Sequence, residues 1–252
     1  MSIEMIVTDL DGTSLRTDKS VSAYSQKIIE KCRNKGILFV VATARPIRAV
    51  DSDLPFIKYD SAIFHNGAVV RVEGKQLSGF AIKAPGNLIS RLLKDFPDIK
   101  ISVEINDHLY ANFDPRSIWK NVAYTLSDFS DLPESDADKI LLNVSSLEEM
   151  KQYESYLTED LYIQLSENTV GMIMNKQASK INGIKAVAET YGIPLNNIIA
   201  FGDDYNDIEM LQACGMGVAV GNAIGEVKEI SDDVCGNNDE DGLGKWLEAH
   251  MI

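Results

Sequence analysis

Short apolar runs alternate with amphipathic segments in the first third of the chain. Residues 3–8 and 37–43 are short runs rich in apolar and β-branched side chains, and each has the length of one buried strand. Residues 21–36 lie between them, carry apolar side chains at helical spacing and end on a glycine, which predicts a helix. A third apolar run, residues 61–67, precedes a hairpin expected to turn at Glu73-Gly74. Continuous apolar strands separated by a helix predict a parallel sheet covered on both faces.

The same alternation returns after about residue 178. A helical pattern at residues 179–192 is followed by an apolar strand pattern at residues 197–202. Shorter elements follow to the end of the chain: a helix at 207–215, a strand at 216–221, a helix from Ala223 and a helix after Gly242. We therefore predict an α/β fold whose core domain, residues 1–82 and 179–252, is a Rossmann-like doubly wound parallel sheet.

Residues 83–178 follow a different pattern. Two amphipathic helices, at 86–96 and 146–159, accompany strands that adjoin through tight turns. The predicted strands are 99–105 and 108–113 around Asn106-Asp107, 139–145, and 161–166 and 169–175 around Glu167-Asn168. Neighbouring strands joined by tight turns pair antiparallel, so this segment predicts an α+β domain inserted into the core.

The charge and cysteine content narrow the classes of partner. The chain has 38 Asp and Glu against 24 Lys and Arg, a formal net charge of -14, which disfavours nucleic acid and anionic membranes as partners. A small anionic substrate stays compatible where a metal ion and a few basic side chains reverse the local field. Cys32, Cys214 and Cys235 lack the spacing of a zinc site or a disulfide framework. Because no signal or transmembrane segment is recognisable either, we expect a cytoplasmic protein.

Polar residues cluster at the predicted carboxyl ends of the core strands, the edge at which open parallel sheets bind ligands. They are Asp9, Asp11, Gly12 and Thr13 after the first strand, Thr43, Ala44 and Arg45 after the second, Asn66 and Gly67 after the third, and Gly202, Asp203, Asp204, Asn206 and Asp207 after the strand at 197–202. Carboxylates brought together at one edge must bind protons or a cation. An all-oxygen set without nearby His or Cys favours Mg²⁺. With one carboxylate free to attack phosphorus, such a site indicates phosphoryl transfer through an aspartyl-phosphate.

Four segments resemble, in order, the motifs of the haloacid dehalogenase superfamily of phosphatases. They are DLDGT at 9–13, Thr43 closing VVAT, Lys180 in ASKINGI, and GDDYND at 202–207. The insert between the second and third motifs, with AVGNA and EDG near the C-terminus, is similar to the Cof-type subfamily with a type C2B cap, which would be residues 83–178. The resemblance covers essentially the whole chain, and four motifs in order are far more specific than DxDGT alone.

The resemblance implies roles for five residues. Asp9 would attack phosphorus and become the phosphoaspartate, while Asp11 would protonate the leaving oxygen and then deprotonate water. Thr43 and Lys180 would hold phosphoryl oxygens, the first as a hydroxyl donor and the second as a compensating charge. Mg²⁺ would be bound by the carboxylates of Asp9 and Asp203 and by the backbone carbonyl of Asp11.

Further residues would support this chemistry. Asn206 is expected to contact phosphate, and Asp207 to orient Lys180 or a metal-bound water. Additional backbone donors are expected around Leu10, Gly12 and Ala44. Ser14, His65 and Val220 depart from the family pattern without touching a motif residue, although His65 could alter the rim of the site.

Several of these residues also have an ordinary structural explanation. Arg45 is either a substrate or phosphate contact or a solvent-facing loop arginine. Lys180 could be a surface lysine at a helix start, although its charge opposes the helix dipole there. Asp204 is expected to be only a helix N-cap. Arg116 and Trp119 of the insert either face the leaving group or serve packing.

The resemblance implies a Mg²⁺-dependent phosphatase that hydrolyses a small phosphomonoester such as a sugar phosphate. Its cap would close over the core, exclude water from the first step and choose the leaving group. Two other functions stay open: a phosphomutase that passes the phosphoryl group to a sugar, and a non-catalytic module that senses a phosphorylated metabolite. Isomer formation from a bisphosphorylated sugar would identify the first, and Mg²⁺-dependent phosphate release would exclude the second.

Overall fold

A computed structural model of the chain describes residues 2–77, 79–166 and 169–252. The chain forms two compact units, which we call the core unit (Met1–Gly79 with Ser179–Ile252) and the inserted unit (Phe80–Ala178). Among the described residues, no helix combines the length and the apolar character that a membrane crossing requires.

Strands and helices alternate through the core unit, whereas strands dominate the inserted unit. The strands are β1 (Met5–Thr8), β2 (Leu38–Ala42), β3 (Ser61–Phe64), β4 (Val69–Val72), β5 (Lys75–Leu77), β6 (Ile101–Ile105), β7 (His108–Ala111), β8 (Thr125–Leu126), β9 (Lys139–Asn143), β10 (Leu161–Ser166), β11 (Val170–Asn175), β12 (Ile198–Gly202), β13 (Met216–Ala219) and β14 (Asp233–Val234). The helices are α1 (Ala23–Asn34), α2 (Ile47–Asp51), α3 (Pro85–Asp95), α4 (Leu147–Lys151), α5 (Lys180–Tyr191), α6 (Ile208–Ala213), α7 (Gly225–Ile230) and α8 (Gly242–Met251).

The core unit is built on one sheet with strand order β14-β13-β12-β1-β2-β3-β4-β5. Strands β14 to β3 are parallel, while β4 and β5 add an antiparallel edge through the predicted hairpin. In the register at the centre of the sheet, Met5 of β1 lies between Ile198 of β12 and Leu38 of β2. The carboxyl ends of β12, β1, β2 and β3 therefore lie side by side.

Side chains of the central strands alternate between two buried faces. Met5 and Val7 pack in the cluster that includes apolar residues of α5, α6 and α7. Ile6 and Phe39 pack in the cluster that includes residues of α1, α2 and α8. Because both faces of the sheet are covered, its strands are apolar throughout, and burial of each large side chain contributes about 1.5–3 kcal/mol. The predicted α/β class and doubly wound core are confirmed.

Helix α5, which delivers a site residue, has well-defined ends. The Ser179 side chain caps its first turn by accepting a hydrogen bond from the Asn182 backbone N–H at 3.3 Å. The helix terminates at Gly192, whose φ of 67° is left-handed and suits glycine. These two signals fix the register of the helix, so that Lys180 is its first residue.

The inserted unit contains a sheet with strand order β10-β11-β9-β6-β7-β8. Its strand pairs are antiparallel except for β7 with β8. Leu88, Ile89 and Leu92 of α3 share a buried cluster with Ile101 and Val103 of β6. The unit is therefore an α+β layer with its own apolar core. Its identity as a C2B-type cap stays a prediction.

Several predicted elements differ in length from the observed ones. The strand predicted at 61–67 ends at Phe64, because residues 65–67 form a 3₁₀ turn with positive φ. The helix predicted at 146–159 is only α4, followed by a 3₁₀ turn at Glu154–Tyr156. The tighter turn, with three residues per turn, places the rings of Tyr153 and Tyr156 against Phe96, at 5.0 and 5.6 Å between centroids.

Three short elements, α2, β8 and β14, were not predicted, because five, two and two residues are too few to show a period. The turn predicted at Asn106-Asp107 is present, with φ of 53° and 59° at these residues. The turn predicted at Glu167-Asn168 lies outside the described residues.

Candidate active site

Asp9 lies in the first position after β1 and is 6 % exposed. Its backbone N–H donates to the Phe201 carbonyl of β12, which ties the end of β1 to the neighbouring strand. The Ser14 hydroxyl donates to the Asp9 carbonyl at 2.8 Å. These two bonds fix the Asp9 backbone at the edge of the sheet, and the carboxylate Oδ1 accepts a hydrogen bond from Lys180 Nζ at 2.6 Å.

Lys180 is a buried cation, only 1 % exposed, at the first residue of α5. Its ammonium donates to Asp9 at 2.6 Å and to Asp207 at 2.7 Å. The helix dipole and burial both oppose a positive charge here, and the two carboxylates overcome them and raise the pKa of Lys180 above its usual range. Lys180 is therefore a fixed charge within the site, and the surface-lysine alternative is wrong.

Asp203 follows β12 and approaches the turn after β1. Its Oδ1 accepts a hydrogen bond from the Thr13 hydroxyl at 2.7 Å. Gly12 has a φ of +83°, and a Cβ at this position would lie 2.3 Å from Asp203 Oδ2. Only glycine combines the left-handed backbone with room for the carboxylate, so Gly12 allows the two loops to meet.

Asp207 organises the loop after β12. Its Oδ2 accepts hydrogen bonds from the backbone N–H groups of Asp203 and Asp204, while Oδ1 accepts from Lys180. Asp204 itself is the N-cap of the 3₁₀ turn Tyr205–Asp207, so its predicted capping role is confirmed. Asp207 is fully buried and links the loop to the base of α5.

Asp9, Asp203 and Asp207 form a carboxylate cluster, with one oxygen from each lying within 4.8 Å of the others. Burial raises the pKa of Asp9 to about 8, with Lys180 opposing the shift and the neighbouring carboxylates adding to it. Burial likewise raises the pKa of Asp203 to about 6, against the hydrogen bond from Thr13. Without a cation the cluster therefore retains protons near neutral pH. An all-oxygen donor set with excess negative charge fits Mg²⁺.

Asp11 points to a different set of partners. Arg45 binds its carboxylate with two nitrogens, at 2.6 and 2.7 Å, and Lys19 Nζ lies 2.7 Å from Oδ1. Although partial burial raises the pKa of Asp11, these hydrogen bonds and charges hold it at about 2. The two aspartates of DLDGT therefore occupy opposite electrostatic environments, one crowded by carboxylates and the other paired with cations.

Thr43 lies directly after β2 and is 1 % exposed. Its backbone carbonyl accepts from the Asn66 N–H at 3.0 Å, and its hydroxyl oxygen accepts from the Arg45 N–H at 3.2 Å. Asn206, after β12, donates from Nδ2 to Asn66 Oδ1 at 3.1 Å. The ends of β12, β1, β2 and β3 therefore contribute to one continuous polar edge within the core unit.

The family model for haloacid dehalogenase-like hydrolases matches residues 6–247 of the chain. The chain belongs to this family. The match spans both units, and the four motifs that carried the resemblance lie together in the core unit as described above. The predicted membership is thus confirmed.

Full-length relatives of this haloacid dehalogenase-like hydrolase include named phosphatases. The 5-amino-6-(5-phospho-D-ribitylamino)uracil phosphatase YitU of Bacillus subtilis is 25% identical over 98% of this chain and 97% of its own length. A second phosphatase of the same name, YcsE of Bacillus subtilis, is 28% identical over 100% of this chain and 97% of its own length. The solved structure of BT1666 from Bacteroides thetaiotaomicron, a phosphatase of the same superfamily, is 27% identical with a TM-score of 0.86, covering 98% of this chain and 95% of that one. The predicted enzyme class, a phosphatase of the haloacid dehalogenase type, is confirmed.

The remaining predicted site residues of the hydrolase follow β1 and β2. Leu10 is fully buried, and its carbonyl accepts from the backbone N–H of Leu15. The Gly12 carbonyl accepts from Asn222 Nδ2 at 2.7 Å. Ala44 lies in the turn between Thr43 and Arg45. The roles of these residues toward phosphate stay predictions.

Two expectations about loop residues change with the structure. Arg45 is bound to Asp11 instead of facing solvent, with 21% of its side chain exposed. His65 is 1 % exposed and therefore buried, not at the rim of the site. In the inserted unit, Arg116 is paired with Asp114 and lies over the ring of Tyr124, and 58% of its side chain is exposed. A role of Arg116 toward the leaving group stays a prediction.

Three residues of the site were not recognised from sequence as contributors: Lys19, Thr13 as a partner of Asp203, and Asn66 as a partner of Asn206. Lys19 has a left-handed φ of 66°, which turns its side chain back onto Asp11 eight residues earlier. The only signal in the sequence was a basic residue in the polar loop that follows DLDGT, and such residues are common in loops. The other two pairs join segments about 190 and 140 residues apart, which no local pattern reports.

Proposed function

We propose that the chain hydrolyses a small phosphomonoester with Mg²⁺ and through a phosphoaspartate on Asp9. The observation that carries the proposal is the buried cluster in which Lys180 lies between Asp9 and Asp207 while Asp203 completes an oxygen-only set. A phosphoryl group is strongly anionic, so it needs this ammonium and a divalent cation to approach a carboxylate nucleophile. Asp11, bound on the opposite side to Arg45 and Lys19, is free of the cluster.

In the first step, a carboxylate oxygen of Asp9 attacks phosphorus and the bond from phosphorus to the leaving oxygen breaks. Asp11 supplies the proton to that oxygen. In the second step, water attacks the phosphoaspartate, Asp11 accepts the proton from the water, and Asp9 is regenerated with release of phosphate. Thr43 and Lys180 hold phosphoryl oxygens through both steps, by hydrogen bond and by charge.

Asp9 and Asp203, with the backbone carbonyl of Asp11, would hold Mg²⁺, and Asp207 lies in the same carboxylate cluster. When bound, Mg²⁺ supplies positive charge that offsets both the carboxylates and the phosphoryl oxygens. With a pKa of about 2, Asp11 is ionised while Arg45 and Lys19 bind it, so it must take up a proton from solvent before it can donate one. A phosphoryl anion competes with Asp11 for the same two cations, and their withdrawal would raise the pKa of Asp11. Substrate binding would therefore prepare the acid.

A polar cavity of about 550 Å³ in the core unit lies beside Lys19, a partner of Asp11. Its lining includes Gly12, Arg16, Asn222, Asp239 and Glu240, whereas Asp9, Thr43 and Lys180 do not line it. Such a mixed polar lining suits hydroxyl groups, and the volume admits a sugar-sized molecule. The phosphoribityl compounds in the names of two relatives are of this chemical class. We propose that the inserted unit, as a C2B-type cap, selects among such leaving groups, and that the enzyme acts in the cytoplasm, consistent with its three free cysteines.

The proposal is tested with a panel of phosphomonoesters, measured with and without Mg²⁺. The panel contains sugar phosphates, 5-amino-6-(5-phospho-D-ribitylamino)uracil and p-nitrophenyl phosphate. We expect Mg²⁺-dependent phosphate release from at least one sugar-type substrate and none from Asp9→Asn, which should retain the circular dichroism spectrum of the wild type. Phosphate release by Asp9→Asn at the wild-type rate would exclude the covalent mechanism, and isomer formation in place of phosphate would indicate a mutase.

A further inference from the structure

The turn after β3 has an unusual backbone that is tied to the phosphate-binding loop. His65, Asn66 and Gly67 have consecutive φ values of 49°, 53° and 106°. Left-handed conformation is unfavourable for non-glycine residues, although Asn tolerates it better than most. Two backbone hydrogen bonds hold the turn in place: His65 N–H donates to the Arg45 carbonyl at 3.1 Å, and Asn66 N–H to the Thr43 carbonyl at 3.0 Å. The turn is therefore bonded to the loop that contains Thr43.

The same turn contacts the helix that carries Lys180. A Cβ at Gly67 would lie 2.3 Å from the Ser179 carbonyl oxygen, so the turn and the start of α5 are in close backbone contact. Asn66 thus lies between the two residues, Thr43 and Lys180, that are proposed to hold phosphoryl oxygens. The Asn66 side chain is also bonded to Asn206, which follows β12. Strands β1 and β2 lie between β12 and β3 in the sheet.

The side chain of Asn66 is 5 % exposed and has one hydrogen-bonding group to spare. An asparagine amide offers one oxygen acceptor and two N–H donors. Asn66 Oδ1 accepts from Asn206 Nδ2 at 3.1 Å, and no acceptor for Asn66 Nδ2 lies among the described residues. If the Asn66 amide were flipped, its oxygen instead of its N–H group would face the incoming phosphoryl anion, and repulsion disfavours that orientation. Among the described residues, Asn66 Nδ2 is not one of the fully buried polar atoms that lack a partner, so this N–H group reaches solvent and is accessible to an incoming anion.

We propose that Asn66 binds the transferred phosphoryl group through its side-chain N–H, with Asn206 as the residue that orients it. The assignment rests on the phosphatase function proposed above. This assignment changes the role expected of Asn206. Asn206 Nδ2 donates to Asn66, so Asn206 acts on phosphate indirectly, through the Asn66 side chain. A neutral donor strengthens phosphate binding without adding a further positive charge next to Lys180 and the bound cation.

Asn66→Asp removes the amide donor while keeping the size of the side chain, and it also adds a negative charge, so it is paired with an uncharged variant. Aspartate has nearly the same size, tolerates the left-handed backbone and still offers an oxygen to Asn206, but it cannot donate when ionised. Asn66→Gly is the companion variant, because glycine adopts positive φ freely while removing the side chain altogether. Circular dichroism and thermal denaturation establish that each variant is folded.

The measurements are the inhibition constant of inorganic phosphate and the values of kcat and KM for p-nitrophenyl phosphate, all with Mg²⁺. For Asn66→Asp we expect phosphate inhibition to weaken at least about tenfold and kcat/KM to fall about 10²–10³-fold. For Asn66→Gly we expect a smaller loss in both, because no negative charge is introduced. Should Asn66→Asp not fold, Asn66→Gly decides: weakened phosphate inhibition supports the assignment, and wild-type inhibition overturns it.

Two results would overturn the assignment. One is phosphate inhibition of Asn66→Asp within about twofold of the wild type, since removing one donor to a charged group has larger effects. The other is a fall in kcat with unchanged phosphate inhibition, because the side chain would then support the fold or the leaving group instead. A wild-type enzyme that releases no phosphate from any phosphomonoester would refute the proposed function itself, which is a distinct outcome.

Discussion

Replacing Asp9 by Asn should abolish turnover and at the same time stabilise the metal-free protein. Asp9 is buried among carboxylates, and its pKa is raised from an ordinary value of 3.8 to about 8. At about pH 7 its carboxyl is protonated in the folded protein and ionised in the unfolded chain, a difference of about 3 units, or about 4 kcal/mol. Asn does not titrate, so Asp9→Asn escapes this cost and should gain up to about 4 kcal/mol, with a melting temperature about 2–4 °C higher per kcal/mol.

The sign of the pH dependence follows from the same shift. A raised carboxyl pKa means that the folded state binds more protons, so the metal-free wild type loses stability as pH rises from about 4 to about 8. The advantage of Asp9→Asn should therefore be small at about pH 4 and largest near pH 8. Thermal denaturation in a chelator across this range measures it, and added Mg²⁺ should stabilise the wild type more than the variant. A variant less stable than the metal-free wild type at about pH 7 would refute the reasoning.

Three further substitutions test other parts of the site. Lys180→Met leaves the buried Asp207 carboxylate without its cation, so urea denaturation should show a loss of about 3–5 kcal/mol and activity should vanish. Wild-type stability would contradict this buried ion pair. Arg45→Lys removes the contact through two nitrogens that Arg45 makes with Asp11. Aryl leaving groups need less proton transfer from Asp11, so kcat should fall about tenfold more for alkyl than for aryl phosphates. Equal losses would argue against a connection between Arg45 and proton transfer by Asp11. Gly12→Ala brings a Cβ 2.3 Å from Asp203 Oδ2, so the Mg²⁺ concentration needed for half-maximal activity should rise about tenfold or more. Gly36→Ala is the control for backbone strain, because Gly36 has a φ of +84° and nothing lies within 4 Å of the added Cβ. This control should leave the required Mg²⁺ concentration unchanged.

The core sheet was predictable because its strands are buried on both faces. Short apolar runs such as those within residues 3–8 and 37–43 indicate strands of a parallel sheet covered on both faces, and the carboxyl ends of such strands meet at one edge. Asp9, Thr43 and Asp203 could be placed near each other for that reason alone. Helix α5 was predictable from its serine cap and terminal glycine, which are local signals.

The partners of individual side chains were not predictable in the same way. Lys19 contacts Asp11 because one left-handed residue reverses a loop, and such a conformation leaves no periodic trace in the sequence. Asn66 and Asn206 meet because β1 and β2 lie between β3 and β12 in the sheet, which is a property of the strand order. The strand at 61–67 ends early for a related reason, since backbone bonds to the Thr43 loop hold residues 65–67 in a turn.

The covalent role of Asp9 is tested most directly by trapping the intermediate. The enzyme is mixed with Mg²⁺ and p-nitrophenyl phosphate, quenched in acid during turnover, reduced with borohydride and digested for mass spectrometry. Borohydride reduces an acyl phosphate to an alcohol, so we expect homoserine in place of aspartate at residue 9 in the wild type and no modified residue in Asp9→Asn. Modification at another aspartate, or a fully active enzyme that never yields reduced Asp9, would contradict the mechanism.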